Sequence, residues 1–296
     1  MYLKVTNQDE CHNGFQYVTG LNVLDKPFEP EGSCVPGGLY FTDLENLSEF
    51  YGFGVWLRVV IIPKGAKKVK DPDGDEWRAD KIILGDKYPL FDVETVKKFN
   101  LCVNENFIAY ASMNGHVDVL EWWLKTHKES GLEMKYSDEA MDWASQNGHV
   151  DVLEWWLKVH NESGLELKYS SSSINWASHN GHVDVLELWL KAHHESGLRL
   201  KYSNNAMNWA SKYGQVGVLE WWLKVHNESG LELKYTYWSL DLASLYGHVD
   251  ALEWWLRAHK SCGLELKYTS DAMDWASKNG HVNVLDWWET SGLLSK

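Results

Sequence analysis

The chain has 296 residues, 44% of them hydrophobic, which suits a folded core, argues against general disorder and leaves room for two domains. Its formal net charge of -14 argues against a nucleic-acid partner, because such binders carry a basic patch or stripe, and against anionic membrane surfaces as well. No apolar run approaches the roughly 20 residues of a membrane span, and the opening MYLKVTNQDECHNG lacks the apolar stretch of a secretory signal.

Residues 1–6 and 15–24 read as short strands, the second with a period of two. Residues 26–38 are rich in Pro and Gly and form a loop. Residues 44–51 have helical spacing through Leu44, Leu47 and Phe50. Residues 55–62 are β-branched and nearly all apolar, a buried strand ending at Pro63. A turn follows at 71–75 (DPDGD), another strand at 81–84 (KIIL), and a joining helix at 93–99. These elements make a small α+β domain over residues 1–95. The four cysteines, Cys11, Cys34, Cys102 and Cys262, show no paired spacing, so reduced thiols are expected rather than a disulfide framework or a metal site. Cys11 beside His12 is a candidate reactive pair, but neighbours on a strand point to opposite faces. No P-loop, G-x-S-x-G or H-E-x-x-H signature is present; the chain is expected to be no enzyme and to need no cofactor.

Residues 96–296 have another texture. Gly115, Gly148, Gly181, Gly214, Gly247 and Gly280 follow one another at intervals of 33, which defines six copies of one unit. In the second copy Ser137 precedes a helical run, and Ser170, Ser203, Thr236 and Thr269 take its place later, each a hydroxyl suited to a helix start. A first helix carries Met141, Trp143 and Ala144, and Gly148 ends it. A second helix places Val150, Leu153, Trp156 and Leu157 at helical spacing and runs past His160 to Gly164, leaving 165–169 (LELKY) as a short extended arm. Such units cannot bury their apolar faces alone, so they stack into one all-α solenoid.

Several columns recur. Paired tryptophans on the second helix (Trp155/Trp156, Trp221/Trp222, Trp254/Trp255) and single ones on the first (Trp143, Trp176, Trp209, Trp275) both read as core packing. Histidines after the turn glycine (His116, His149, His182, His248, His281) stand about 10 Å apart in a helical stack, too far to share a metal, and suit backbone hydrogen bonds. His127, His160, His193, His226 and His259 fall at the second helix's C-terminus, where a cation opposes the dipole favourably.

The 33-residue unit is identified as an ankyrin repeat, and NGHVDVLEWWLK…SGLELKYS resembles the ankyrin arrays of large DNA viruses of amoebae. ECHNGFQY, CVPGGLYFT and WRADKIILG are similar to the uncharacterised N-terminal domain fused to such arrays. The resemblance implies protein–protein interaction, with a host-encoded protein as partner, in the host cytoplasm with the nucleus left open, and a monomer. Many poxviral ankyrin proteins end in an F-box-like segment; this chain ends in a capping repeat at WWETSGLLSK, so that route to ubiquitin ligases is not expected. Residues 37–65 are also similar to mono-ADP-ribosyltransferases, which makes a divergent enzyme of that kind, targeted by the repeats, the alternative. The early-strand Arg is missing, Ala79-Asp80-Lys81 stands where that family has a Glu pair, and Glu76 and Asp80 are the carboxylates left.

Two pairs of positions vary between copies while their surroundings do not, and in ankyrin arrays they line the concave face. The pair opening the first helix becomes Tyr237/Trp238 in the fifth copy. The pair before the turn glycine includes His179, Lys212/Tyr213 and Leu245/Tyr246. His179, Lys212, Tyr213, Tyr237, Trp238, Leu245 and Tyr246 are therefore the candidate partner-binding residues: clustered Tyr and Trp beside a cation have the composition of interface hot spots.

Overall fold

The computed structural model describes residues 1–72, 74–131 and 134–294, and the chain divides into two compact units. The first comprises Met1–Ala111 with His116–Tyr136; the second comprises Ser112–Gly115 with the chain from Ser137 onward.

The first unit is built on a sheet of β1 (Tyr2–Thr6), β4 (Gly20–Val23), β5 (Leu39–Asp43), β6 (Trp56–Ile61), β7 (Lys68–Lys70), β8 (Glu76–Ala79) and β9 (Lys81–Pro89). The order is β4-β9-β6-β1-β5-β8-β7, and the paired neighbours run antiparallel. β1 is central and covered on both faces: Leu3 and Val5 are buried on one side, Lys4 and Thr6 on the other. One core gathers Tyr17, Leu39, Phe41, Val60, Ala79, Ile82 and Leu84. A 3-10 helix (Leu47–Phe53) packs against β1, and its Tyr51 meets Phe107 of α2 (Glu105–Met113) at 5.2 Å between ring centres. Phe107 also packs on Phe91 at 5.3 Å, and the Tyr51 hydroxyl donates to the Cys102 carbonyl at 2.8 Å. These contacts hold the first helix of copy one, and α3 (Val117–Ser130) after it, in the same unit as the sheet.

The expected strands at 1–6 and 55–62 and the helix at 93–99 form, the last as α1 (Val93–Phe99), capped where the Asp92 carboxylate accepts from the Thr95 N–H at 2.8 Å. The single strand expected over 15–24 is two. Asn13 and Gly14 take positive φ (51° and 79°) and turn β2 (Cys11–His12) back onto β3 (Phe15–Gln16). This is the Asn-Gly hairpin signal. β4 then joins β9 separately, after Asn22 bonds Val18 through both its amide atoms. The helical segment expected at 44–51 is the 3-10 helix, displaced to Leu47–Phe53. β5, β7 and β8 are strands beyond those expected: β5 pairs with β1 and with β8, and β7 turns back onto β8 at the sheet edge. The expected 71–75 turn includes Asp73, which lies outside the described residues.

In the second unit the copies alternate inner helices α4 (Glu139–Gln146), α6 (Ser172–Asn180), α8 (Asn205–Lys212), α10 (Trp238–Leu245) and α12 (Asp271–Lys278) with outer ones. The outer helices are α5 (Val150–Ser163), α7 (Val183–Ser196), α9 (Val216–Ser229), α11 (Val249–Cys262) and α13 (Val282–Thr290). Four of the five cap hydroxyls act as expected: Ser170, Ser203, Thr236 and Thr269 each accept from the N–H two residues on, at 3.0–3.3 Å, whereas the buried Ser137 hydroxyl makes no such bond. They also bond backwards to the preceding copy. Asp142 accepts from the Ser170 N–H (3.0 Å) and the Ser170 and Ser173 hydroxyls, and Asp241 accepts from the Thr269 N–H (2.9 Å) and hydroxyl (2.6 Å). Asn175 and Asn208 make the same link by donating to Ser203 and Thr236 while accepting from their N–H groups. The Asp or Asn of each link is buried, where an unmade bond costs about 1–3 kcal/mol.

The outer-helix tryptophans are scaffold. Trp189, Trp222, Trp255 and Trp288 are buried, and their indoles donate to Ser145, Ser178, Ser211 and Ser244 of the preceding copy at 2.9–3.4 Å. The arm tyrosines Tyr169, Tyr202 and Tyr235 rest on Trp189, Trp222 and Trp255 at 4.6–4.7 Å, and their hydroxyls donate to carbonyls of the next arm. His281 Nε2 donates to the Leu245 carbonyl at 3.0 Å, the backbone bond expected of the turn histidines. The later histidines do something more specific than oppose a dipole. In His160, His193, His226 and His259, Nδ1 lies 2.7–2.8 Å from the carbonyl five residues on, beyond the helix-ending glycine. A carbonyl only accepts, so Nδ1 carries the proton and ties the arm to the helix end.

Candidate functional site

On an inner helix, positions four and seven residues apart share a face. Along α10 that face carries Trp238, Leu242 and Leu245; along α8 it carries Asn205, Trp209 and Lys212; along α12 it carries Asp271, Trp275 and Lys278. The opposite side is alanine and serine, fully buried (Ala210, Ser211, Ala243, Ser244), which lets α8 and α10 approach closely. Packing thus consumes one side of each inner helix and leaves the other open.

The candidate residues lie on that open side. Tyr213, Tyr237, Trp238 and Tyr246 are 39%, 43%, 38% and 46% exposed, values that set them apart from the buried outer tryptophans. They form two groups. The His179 ring lies 4.0 Å from Tyr213, and Tyr213 lies 6.1 Å from Tyr246. Lys212 Nζ sits between the last two, 4.9 and 4.8 Å from their ring centres. Tyr237 is 5.1 Å from Trp238. Half-buried Leu245 completes the row. The Tyr213 hydroxyl raises the Lys212 ammonium above its ordinary range, burial opposes it and the Tyr246 hydroxyl adds to it, so the cation stays charged. Burial, then the Lys212 charge, lowers the pKa of His179, which keeps the imidazole neutral.

One reading of the sequence is corrected here. Trp143, Trp176, Trp209 and Trp275 do not belong to the core; all four are half-buried on the open side. Trp275 stacks on Trp238 at 5.7 Å and 12° between planes, and Trp209 meets His179 edge-on at 6.0 Å. The patch therefore extends over Trp209 and Trp275. Their spacing held the signal: each stands four residues after the first variable pair's second member.

The candidates in the sheet unit are not gathered into one catalytic group. Asp80 accepts from the Lys67 N–H at 2.8 Å. His12 Nε2 accepts from the Asn7 N–H at 3.1 Å, and the Cys11 N–H donates to the Asn7 side chain. Burial, then the Lys4 charge, lowers the His12 pKa to about 4. Glu76, raised by burial and then by Asp71, accepts from the Cys34 thiol at 3.8 Å. Cys34, Asp71 and Glu76 bring ligand-type atoms within 4.8 Å, but Asp71 is already committed to the Ser33 hydroxyl (2.6 Å) and the Arg78 guanidinium (3.3 Å).

The sequence model of the family described as "Ankyrin repeats (many copies)" matches residues 108–155. The putative ankyrin repeat protein R868 of Acanthamoeba polyphaga mimivirus is 40% identical over 41% of this chain and 65% of its own length. The chain carries ankyrin repeats and is similar to the putative ankyrin repeat proteins of this virus. A second putative ankyrin repeat protein of that virus, R896, is 35% identical over 46% of the chain. The uncharacterised protein R869 of the same virus is 37% identical over 40% of the chain and 94% of its own length. The match spans 65% and 43% of the lengths of R868 and R896. Among solved structures, the human ASB11 ankyrin repeat domain aligns with 62% of this chain and 83% of its own, at 16% identity and a TM-score of 0.43. No helix of the described residues is long and apolar enough to cross a membrane.

Proposed function

We propose that this ankyrin-repeat chain is a non-enzymatic binding protein that holds a host-encoded protein partner on the open side of its inner helices. The anchor is formed by His179, Lys212, Tyr213, Tyr237, Trp238, Leu245 and Tyr246, extended by Trp209 and Trp275. One observation carries this reading: Tyr213, Tyr237, Trp238 and Tyr246 of two successive copies are solvent-exposed, with Tyr213 and Tyr246 flanking the charged Lys212 and Trp238 stacked on Trp275. Rigid Tyr and Trp side chains with a cation among them are enriched at binding hot spots, and scaffold duty does not require their exposure. The chain's acidity favours a basic or mixed-charge partner through electrostatic steering.

The test is a pair of variants measured against a partner purified after capture from amoebal lysate. Trp238→Ala should weaken binding by about 2 kcal/mol or more, whereas Asn147→Ala, exposed at the position of Tyr246 three copies earlier, should change it far less. Thermal unfolding is followed in parallel, since Trp238 also stacks on Trp275. Equal losses from both variants, or losses that merely follow unfolding, would remove the anchor from this face.

A further inference from the structure

Strands β1 and β5 start as neighbours and then part. Their register holds for Tyr2↔Asp43 and Leu3↔Thr42 only, while β1 stays paired with β6 over all five residues. Leu3, Lys4 and Val5 of β1 and residues 39–42 of β5 line a cavity of about 860 Å³, within the size range of small-molecule sites.

Lys4 is the unusual group in this wall. It is 6% exposed, its Nζ donates to the Tyr40 carbonyl at 2.8 Å, and it lies 4.4 Å over the Tyr17 ring. Among the described residues it takes part in no ion pair. Burial lowers its pKa to about 8, with the charge of Glu76 opposing, so the amine is still mainly cationic near neutral pH. A buried ammonium with no direct ion pair is costly even with the Glu76 charge in range, and an anion brought in by a ligand would relieve that cost. With one N–H on Tyr40 and the ring of Tyr17 beneath it, the group keeps donor capacity for a ligand oxygen.

The rest of the lining narrows the ligand. Phe15, Tyr17, Phe41, Phe50 and Phe53 supply aromatic surface, and Phe53 is left 58% exposed. Asp75 and Glu76 line the same cavity, and carboxylates there oppose a second negative charge, which disfavours polyphosphates and other polyanions. We propose that the cavity binds a small aromatic monoanion, its carboxylate on Lys4 Nζ and its ring among Phe15, Tyr17 and Phe53. This site is independent of the inner-helix face.

Calorimetry on the full chain with 2-naphthoate and its neutral counterpart 2-naphthamide tests this. Naphthoate should bind at least about tenfold tighter than naphthamide, the return expected of a charge-assisted hydrogen bond. In Lys4→Met the preference should vanish, and in Glu76→Gln naphthoate should bind about threefold tighter or more, because a like charge is gone. Equal affinity for the two probes in the unaltered chain, or no saturable naphthoate binding below about 1 mM, overturns the proposal. So does a preference that survives in Lys4→Met. Should Lys4→Met fail to fold, Glu76→Gln decides: unchanged naphthoate affinity there overturns it.

Discussion

Replacing Gly247 by alanine places a methyl group 2.7 Å from Nδ1 and 2.9 Å from Cε1 of His281, the ring that reaches back from the sixth copy. The ring cannot swing aside freely, because its Nε2 donates to the Leu245 carbonyl at 3.0 Å. Two costs add. The left-handed backbone at φ +83° disfavours any side chain by about 1–2 kcal/mol. Relieving the clash, by moving the ring or separating the copies, costs about 1–3 kcal/mol more, the usual range for overpacking.

Gly230 provides the control. It ends the outer helix of the fourth copy at φ +74°, and nothing lies within 4 Å of a methyl group added there. Gly230→Ala should therefore lose only the backbone part, about 1–2 kcal/mol. Gly181→Ala should fall between the two, because its neighbour is the flexible amide of Gln215 at 2.5 Å rather than a held ring. Urea unfolding followed by tryptophan emission measures the series, since buried tryptophans run through every copy involved. Equal losses at Gly247 and Gly230 would show that backbone conformation alone fixes these glycines and that no close approach exists between copies.

Asp241 is buried and its carboxyl is raised, by burial first, so its contribution to stability is fully present at low pH and lost as pH rises through the folded value. Asp241→Asn, which copies the arrangement of Asn208, should leave neutral-pH stability unchanged or higher, with the benefit shrinking toward pH of about 4; Asp241→Ala should cost about 2–3 kcal/mol by orphaning the Thr269 donors. An Asn variant as damaging as the Ala variant in urea melts would refute the shared link. His12 has the opposite sign to Asp241, because its folded pKa of about 4 lies below the ordinary imidazole value of 6.5. The stability it supports is present above 6.5 and is lost as pH falls toward 4, so His12→Gln should flatten the acid side of a stability-against-pH curve in that window; an unchanged slope would refute it.

The sequence by itself determined what is periodic or local. The 33-residue interval gave the six copies, the cap hydroxyls and turn glycines gave the helix limits, and variation between copies pointed to Tyr213, Trp238 and Tyr246, all three exposed, with Tyr213 and Tyr246 6.1 Å apart. Tertiary structure decided which apolar residues face a neighbour. An inner helix about eight residues long has Ala and Met on one side and Trp on the other, so apolar spacing alone could not say which side is covered; stacking against the next copy selects the small residues and leaves Trp209 and Trp275 open. The Asp and Asn links join residues 28 positions apart, and local pattern carries no trace of such partners. The sheet makes the same point. β5 and β8 are strands because distant segments pair with them, and the parting of β1 from β5 that opens the cavity at Lys4 follows from strand register, a non-local property set only when the whole sheet is assembled.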